Sequence, residues 1–374
     1  MMSEGKRTSG AGNGRHASQN LPHRASTGKP SSKKRVNSKE PYEQSCGGRR
    51  KPIRLAALDL GTNNCRLLIA APRGHDLRIV DAFSKIVRLG EGLSQSGVLS
   101  PDAMRRTAEA LKICAEKVER RGVTHLRCIA TQACRGAQNG AEFLAEMSAA
   151  TGLEFDIITT EEEARLAVAG CADLLDMSVE AGLVFDIGGG STELSWVRPP
   201  KDRAGAEIAA WTSMPFGVVS LAERWGGREM TAETYAAIVD DVRADIARIG
   251  DPAGLKDSFV SDRAHLLGTS GTVTSIAGVH LGLTRYRRDK VDGLWLSAGE
   301  AKRVTDKLRS MSFSERASEP CIGGDRADLV VSGCAILEAL QLEWPATRIR
   351  VADRGLREGI LADLALQARN ERRR

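Results

Sequence analysis

The chain contains two similar ten-residue segments, and this internal repeat limits its possible folds more than any other feature. Residues 58–67 read LDLGTNNCRL and residues 185–194 read FDIGGGSTEL, so an acid, a glycine and a leucine recur at matching positions. In each copy two apolar runs flank a turn rich in Gly, Ser, Thr and Asn, a pattern typical of a β-hairpin. The copies start 127 residues apart, at positions 58 and 185, which is about the length of a small domain. We therefore expect two related domains, each with one hairpin.

The turns of both copies have a composition that suits phosphate binding. Glycine tolerates positive φ and leaves successive backbone N–H groups uncovered, so such turns form nests for anions. A third glycine-rich segment joins a strand to a helix, whose N-terminus is a further anion site. The candidate phosphate-binding residues are Gly61, Thr62, Asn63 and Asn64 in the first turn, Gly188, Gly189, Gly190, Ser191 and Thr192 in the second, and Gly268, Thr269, Ser270 and Gly271 in the third.

An acidic residue ends the first strand of each copy, beside the expected phosphate site. These residues are Asp59 and Asp186. A carboxylate next to phosphate is unfavourable unless a cation lies between them, and Mg²⁺ prefers carboxylates together with phosphate oxygens. An unpaired charge at the end of a buried apolar strand is also costly, which argues against a purely structural role for Asp186. We therefore expect Mg²⁺ as a cofactor.

Outside the repeat, apolar strands alternate with helices, which is typical of an α/β fold. Ser100-Pro101 marks a helix start, with serine as the cap and proline at the first helical position. Strands are predicted at 126–131, 155–158, 183–187, 193–197, 265–268 and 348–352, and helices from 101, from 139, at 161–175, 271–281, 298–309 and 328–342, and from 356. The predicted organisation is a basic tail at 1–52, domains at 53–178 and 179–368, and a charged tail at 369–374.

The net charge of +6 comes from the N-terminal segment. Residues 1–52 contain twelve Lys/Arg and three Asp/Glu, a balance of +9, so the other 322 residues carry 42 basic and 45 acidic groups, a balance of −3. With almost no aliphatic residues, this segment is predicted to be disordered, either as a solvated tail or in contact with a polyanion. No apolar run reaches the roughly 20 residues of a membrane span, and we expect a cytoplasmic protein.

Several segments together resemble the exopolyphosphatase/guanosine pentaphosphate phosphatase family, whose fold is that of actin, Hsp70 and the sugar kinases (ribonuclease H-like). The resemblance runs from about Leu55 to Leu364, and its main motifs are DIGGGSTEL (186–194), GTSGTVTSIAG (268–278) and DRADLVVSG (325–333). It implies the short two-domain form of this α/β fold, and a hydrolase that acts on phosphoanhydride bonds.

The resemblance also implies roles for individual residues. Glu163 and Glu193 match the catalytic glutamates of the family, and Arg135 resembles the arginine that reaches the scissile phosphate. Asp59 and Asp186 match the acids that organise the metal, with Glu193 as a third candidate ligand. Hydrolysis of this kind needs a carboxylate that orients water and a cation that neutralises the phosphoryl oxygens.

Three of these residues also admit purely structural interpretations. Thr160 and Glu163 have the spacing of a capping box, in which Glu163 would satisfy backbone donors at a helix start. The alternative for Glu193 is a solvated strand residue, and the alternative for Arg135 is a surface arginine that pairs with a helix acid.

The expected substrate is inorganic polyphosphate, pppGpp of the stringent response, or both. Nests and a cation recognise phosphate without a base, and the chain has only fifteen aromatic residues (five Trp, three Tyr and seven Phe), so we expect a preference for polyphosphate over pppGpp. The resemblance implies a preference for short chains, since longer family members extend the binding channel with an added C-terminal domain that this sequence lacks. Tyr286 and Trp295 are the nearest candidates for a guanine platform, although such residues more often pack in a core. Arg285, Arg287 and Arg288 would then hold distal phosphates.

Two other functions remain open at this stage. An ATPase or phosphotransferase of the same fold is one, although the EEEARL and DRADLVVSG segments argue against it. A non-catalytic regulator that binds polyphosphate or an alarmone is the other. A homodimer is a further possibility that the sequence leaves open.

Overall fold

A computed structural model of the protein describes residues 52–74, 76–199 and 206–373. The predicted disordered tail and its polyanion contact lie outside these residues. The described part carries two β-sheets with helices packed on their faces, which confirms the α/β class. None of the described helices has the length and apolarity needed to cross a membrane.

The two sheets account for all the strands of the described residues. The first sheet has the order β3-β2-β1-β4-β5, and the second has the order β10-β11-β9-β6-β7-β8. The strands are β1 (Leu55–Leu60), β2 (Asn64–Arg73), β3 (Asp76–Ile86), β4 (His125–Ala130), β5 (Phe155–Ile157), β6 (Ala181–Ile187), β7 (Thr192–Arg198), β8 (Glu207–Met214), β9 (Ala264–Thr269), β10 (Trp295–Ser297) and β11 (Arg348–Val351).

Helices follow the strands along the described chain. They are α1 (Leu93–Ser96), α2 (Pro101–Arg120), α3 (Gln132–Gly136), α4 (Gly140–Thr151), α5 (Thr160–Cys171), α6 (Val218–Trp225), α7 (Ala232–Ile249), α8 (Lys256–Val260), α9 (Ser270–His280), α10 (Arg288–Val291), α11 (Ala298–Ser310), α12 (Phe313–Ser318), α13 (Val330–Glu343) and α14 (Leu356–Arg373), with a 3₁₀ turn at Ala172–Leu174. We call the first sheet with α1–α4 the first lobe, and the second sheet with α6–α13 the second lobe.

The central strand of each lobe is buried on both faces, which explains its continuous apolar sequence. In β1, Leu58 faces one core cluster and Ala57 faces the other. In β6, Phe185 belongs to the main core of the second lobe, and Val184 packs into a smaller cluster behind it. Each central strand pairs antiparallel with the second strand of its hairpin, and parallel with the strand on its other side.

The internal repeat extends to hydrogen bonds and strand register. In the first turn the N–H of Gly61 donates to the carbonyl of Asn64 (2.9 Å), and in the second the N–H of Gly188 donates to the carbonyl of Ser191 (3.0 Å). A third strand, which the sequence pattern did not reveal, follows in both lobes as β3 and β8. Each repeat is therefore a three-stranded meander. Its third strand lies at the sheet edge and is largely half-exposed, so the apolar signal there is weak.

The last helix departs from the predicted domain boundary. Instead of staying with the second lobe, α14 packs against the first sheet, where Ile360 and Leu364 join a cluster with Leu55. It also crosses α5. At Gly359 the two helices are so close that a side chain would collide with the backbone of Leu166 on α5. The helix continues to Arg373, so the described residues of the predicted charged tail are helical.

The start of α2 agrees with its sequence signal, whereas the start of α4 does not. The hydroxyl of Ser100 accepts a hydrogen bond from the N–H of Ala103 (3.3 Å), and Pro101 is the first helical residue, as predicted. Asn139 precedes α4 but makes no cap bond. Its side-chain oxygen instead accepts from the N–H of Leu99 (2.8 Å), which ties α4 to the segment before α2.

Candidate active site

A cavity of about 520 Å³ lies among the two hairpin turns, the third glycine-rich segment and the start of α14. Its walls contain most of the residues that the sequence singled out. Those residues are Asp59, Gly61, Thr62, Asn63, Asn64, Glu163, Asp186, Gly188, Gly189, Gly190, Ser191, Glu193, Thr269, Ser270 and Gly271. The separate segments of the sequence therefore meet in one cleft.

Two of the predicted phosphate-binding residues do not line this cleft. The hydroxyl of Thr192 is buried and donates to the carbonyl of Phe216 (2.9 Å). Gly268 faces the core of the second lobe, where Phe185 and Val273 occupy the space that a side chain would need. Both positions turn inward because they belong to strands, in which successive residues point to opposite faces.

The two hairpin turns face each other across the cleft. Gly190 lies against the side chains of Gln132 and Thr62, and a side chain at this position would collide with both. The hydroxyl of Thr62 also hydrogen-bonds the side-chain oxygen of Gln132 (3.3 Å). Glycine at Gly189 and Gly190 leaves room for this close approach of the turns, since a side chain at either position would crowd Thr62.

The start of α6 fixes the orientation of the second turn. The N–H groups of Val218 and Val219 donate to the carbonyls of Gly188 (3.0 Å) and Gly189 (2.8 Å). Because α6 holds these carbonyls, they are not free to face a ligand in the cleft. Phosphate binding by the remaining N–H groups of the turn stays a prediction.

Two carboxylates stand side by side on the second hairpin. Asp186 on β6 pairs directly with Glu193 on β7, so their side chains project from the same face. Burial and the negative charge of Glu193 raise the pKa of Asp186 to about 7. Burial also raises the pKa of Glu193, an effect that hydrogen bonds from Ser191 and Ser213 oppose. Glu193 is 4% exposed, so it is not a solvated strand residue.

Glu163 reaches the cleft from the first turn of α5. One guanidinium nitrogen of Arg135 donates to its carboxylate (3.1 Å) and to the carbonyl of Ile158 (2.8 Å). Burial, and then the nearby charge of Glu193, raise the pKa of Glu163 well above its usual range, while the charge of Arg135 opposes the rise. Arg135 therefore does pair with an acid on a helix, and this acid, Glu163, lines the cleft.

Glu163 is not the capping residue of its helix. The cap is Thr159, whose hydroxyl accepts from the N–H of Glu162 (3.2 Å). The predicted capping box at Thr160 is therefore wrong by one residue. This shift leaves the carboxylate of Glu163 bound to Arg135 rather than to the backbone of the helix start.

Three arginines in the cleft escaped the sequence analysis. Arg66, Arg326 and Arg357 all line the cavity, and none forms an ion pair with any residue that the structure describes. Burial, followed by the charge of Arg66, lowers the pKa of Arg326 and of Arg357, so the three cations lie near one another. Three neighbouring cations are unfavourable without a bound anion. The sequence contained one signal for this group, because Arg66 occupies in the first copy of the repeat the position that Glu193 has in the second.

Two of the three arginines that were predicted to hold distal phosphates have other partners. Arg287 binds Asp289 (2.9 Å), and Arg288 binds Glu358 (2.8 Å). Trp295 does not line the cleft. The guanidinium groups of Arg348 and Arg350 lie over its ring, 4.7 and 4.8 Å from the ring centre, so it is a packing residue. Tyr286 is 40% exposed and does line the cleft.

The oxygen atoms at this site suit a hard cation that binds together with substrate. No three Asp, Glu, His or Cys side chains of the described residues form a ready metal cage, so Asp59, Asp186 and Glu193 do not converge as a set. Mg²⁺ commonly takes only one or two carboxylates and completes its shell with water and phosphate oxygens. Asp186 and Glu193 are adjacent and fit that pattern, and the buried side-chain oxygen of Asn64 has no partner.

Comparison with known proteins agrees with this site. The sequence profile of the Ppx/GppA phosphatase family matches residues 68–368. Exopolyphosphatase 2 from two strains of Mycobacterium tuberculosis is 29% identical over 330 residues, which cover 83% of this chain and 98% of the relative.

Solved structures show the same likeness. The Aquifex aeolicus member of the Ppx/GppA family superposes with a TM-score of 0.70 at 26% identity, covering 84% of this chain and 98% of that one. An exopolyphosphatase from Cytophaga hutchinsonii shares the fold, with a TM-score of 0.72 at 23% identity and coverage of 83% and 97%. These likenesses confirm the predicted actin-like α/β fold. The chain belongs to the Ppx/GppA phosphatase family.

Proposed function

We propose that this protein is a divalent-cation-dependent phosphohydrolase that releases terminal phosphate from inorganic polyphosphate. The observation that carries the proposal is the meeting of two glycine-rich turns, three arginines that form no ion pair with the described residues, and the Glu163–Arg135 pair at one cleft. The nests and arginines match the repeating negative charge of a phosphate chain. The glutamate supplies the acid–base group that hydrolysis requires.

In this proposal Glu163 orients and deprotonates the attacking water. A base works best when its pKa lies near the working pH, and burial raises the pKa of Glu163 in that direction. Arg135 holds the carboxylate in place (3.1 Å) and supplies positive charge near the scissile phosphate. Ser213 fixes the second glutamate by donating a hydrogen bond to Glu193 (2.9 Å).

Asp186 and Glu193 are the residues that would hold the cation. When bound, Mg²⁺ neutralises charge on the phosphoryl oxygens and so favours attack by water. Two adjacent buried carboxylates, one with a pKa of about 7, are also unfavourable without a nearby positive charge. Asp59 faces Arg66 across its hairpin instead, which leaves it a weaker candidate ligand.

Polyphosphate fits this cleft through its charge, and the exopolyphosphatase name of the Mycobacterium tuberculosis relative supports the same substrate. One observation favours pppGpp as a second substrate. Part of the cleft wall is apolar, since Pro320, Ile322 and Leu329 line it as well as Tyr286, and such a wall suits a nucleoside. The preference for short chains, a homodimer, a cytoplasmic location and a role in the stringent response remain predictions.

A phosphate-release assay tests the proposed function. The substrates are tripolyphosphate, long-chain polyphosphate, pppGpp and ATP, each with and without Mg²⁺ at one ionic strength. We expect Mg²⁺-dependent release that is fastest from short polyphosphate. A kcat/KM for pppGpp tenfold above both polymers would reverse the substrate assignment. Phosphate release from ATP but from none of the other three substrates would identify an ATPase. Binding of polyphosphate or pppGpp without phosphate release would identify a regulator.

A further inference from the structure

The segment at residues 87–93, which we call the latch segment, is fixed to the first phosphate turn. The N–H of Arg88 donates to the carbonyl of Asn63 (3.0 Å), and the N–H of Gly90 donates to the carbonyl of Thr62 (2.9 Å). The side chain of Thr62 also fills the space where a side chain of Gly90 would stand. Any movement of the latch segment therefore moves this turn.

The same segment reaches across to the second lobe through Arg88. Its guanidinium binds both carboxylate oxygens of Asp328 (2.9 and 3.1 Å) and the carbonyl of Asp325 (3.1 Å). Two-pronged pairs of this kind are among the stronger charged hydrogen bonds in proteins. Arg88 also has a φ of 48°, a left-handed conformation that is uncommon for arginine and persists only where the surroundings enforce it.

A second contact between the lobes lies beside the first. The carboxylate of Glu223 on α6 accepts hydrogen bonds from the N–H of Gly92 and from the hydroxyl of Ser94, both at 2.7 Å. Helix α6 is the element that also holds the carbonyls of the second phosphate turn. The latch segment is thus bound to the supports of both turns.

The second-lobe side of the latch is rigid. Gly227 packs directly on the backbone of Asp328, with no room for a side chain between them. The buried guanidinium of Arg316 donates to the carbonyls of Ala327 (2.9 Å) and Arg228 (2.7 Å), which joins these two loops. Between the two latch partners, Asp325 and Asp328, lies Arg326 of the cleft. The Arg88–Asp328 pair therefore connects the first phosphate turn to this arginine.

We propose that Arg88 and Asp328 are positioning residues whose ion pair latches the two lobes together and sets the distance between the first phosphate turn and Arg326. Neither residue lines the cleft, so they act on substrate only through the groups they hold. This inference rests on the proposed phosphohydrolase function for its kinetic consequence, although the latch itself is a property of the fold. Loss of the pair should weaken substrate binding more than it slows the chemical step.

The kinetic test uses Arg88→Ala, Asp328→Asn and the reversed pair Arg88→Asp/Asp328→Arg, with tripolyphosphate and Mg²⁺. The matched control is Glu91→Gln, which breaks the ion pair with Arg106 (2.7 Å) in the same segment but within the first lobe. Each single variant should raise KM by roughly tenfold with kcat within about threefold, and the reversed pair should recover most of the loss. A KM unchanged in both single variants would overturn the proposal, as would a reversed pair that loses as much as the two single variants combined.

Solution X-ray scattering without substrate gives a readout that needs no activity. We expect Arg88→Ala to have a larger radius of gyration than the wild type, and Glu91→Gln to match the wild type. Equal radii for all three proteins would contradict the latch. If the wild type released no phosphate, the proposed function would fail while the scattering result still decided the latch. Asp328→Asn, close in size to the native residue, takes the place of Arg88→Ala if the alanine variant does not fold.

Discussion

The two hairpins of the repeat share their backbone but differ in the charge that faces the acid of the first strand. In the first copy Asp59 lies opposite Arg66, and in the second Asp186 lies opposite Glu193. The next strand places a serine in the same row in both lobes, Ser84 in one and Ser213 in the other. We call each set of three facing residues a row: Asp59, Arg66 and Ser84 in the first lobe, and Asp186, Glu193 and Ser213 in the second. The two rows differ only at the middle position, which is arginine in one and glutamate in the other.

This difference teaches how a duplicated binding element can divide its roles. In the first row the charge of Arg66 offsets part of the cost of burying Asp59, and the arginine presents positive charge to phosphate. In the second row two buried carboxylates face each other, which is favourable only when a proton or a cation joins them. We infer that the first hairpin mainly binds substrate and that the second, with Glu163, serves the chemistry.

The largest effect is expected at Glu163, on the side of the second hairpin. Glu163→Gln keeps the size of the side chain but cannot take a proton from water, so kcat should fall by roughly 10²- to 10⁴-fold. Binding should persist, because the nests and arginines are unchanged. Steady-state phosphate release and a binding titration with tripolyphosphate measure the two quantities. Activity within a few-fold of wild type would remove Glu163 from the chemistry.

Asp186 should show the next largest effect, through the cation. Asp186→Asn removes an anionic ligand, so the variant should need about tenfold or more Mg²⁺ for half-maximal activity and should turn over more slowly. Asp59→Asn is the matched control in the first hairpin and should shift the Mg²⁺ requirement less. Titration of activity with Mg²⁺ compares the two variants. Equal shifts in the Mg²⁺ requirement of the two variants would mean that the two rows do not differ in cation binding.

The same pair of variants predicts a difference in stability with pH. The pKa of Asp186 is about 7 in the folded protein against 3.8 for the free group, so between these values the folded state holds a proton that the unfolded state has lost. The free energy of unfolding therefore falls as pH rises through this window, and the penalty is complete above pH 7. Without divalent cations, Asp186→Asn should be more stable than wild type by on the order of a few kcal/mol at pH 8, and by less than half of that at pH 4 to 5.

Chemical denaturation in EDTA at pH 5 and pH 8 measures this difference. Asp59→Asn should gain less at pH 8, because the variant leaves the half-buried Arg66 without its opposite charge. A stability gap between Asp186→Asn and wild type that did not change with pH would show that Asp186 is not buried with a raised pKa.

The smallest effect on activity is expected at Thr159, the cap of α5. It separates the role of the cap from that of Glu163, the catalytic candidate on the same helix. Thr159→Ala removes the cap bond to Glu162, so the free energy of unfolding should fall by about 1 kcal/mol with kcat nearly unchanged. Glu163→Gln should do the opposite, with little change in stability. Thermal unfolding and phosphate release on both variants check this contrast. A large loss of kcat in Thr159→Ala would mean that the helix start, and not Glu163 alone, controls the reaction.

Much of the fold could be predicted because its signals are local. The hairpins show paired apolar runs around glycine turns, and α2 begins with a serine cap and a proline. The edge strands β3 and β8 were missed because partial exposure dilutes their apolar pattern. The return of α14 to the first lobe depends on a close crossing at Gly359, which no single segment encodes.

The site shows the same limit. Glu163, Glu193 and Asp186 were found because they lie in motifs, and the three-dimensional structure brings them together. Arg357 and Arg326 were missed because their importance comes from lying beside Arg66 without an ion pair to any described acid, which only tertiary structure shows. The cap of α5 was misplaced by one residue because Thr159 and Thr160 are chemically equivalent in sequence.

The division of roles between the hairpins is tested most directly by the steady-state kinetics of Arg66→Gln and Glu193→Gln, the two variants at the one position where the copies differ. We predict that Arg66→Gln raises KM by about tenfold or more with kcat nearly unchanged, because it removes charge that binds substrate before and during the reaction. Glu193→Gln should lower kcat by on the order of 10²-fold with KM nearly unchanged, because it acts on the chemical step. If both variants lost kcat equally, or if Glu193→Gln raised only KM, the two rows would not differ in function and the account would be contradicted.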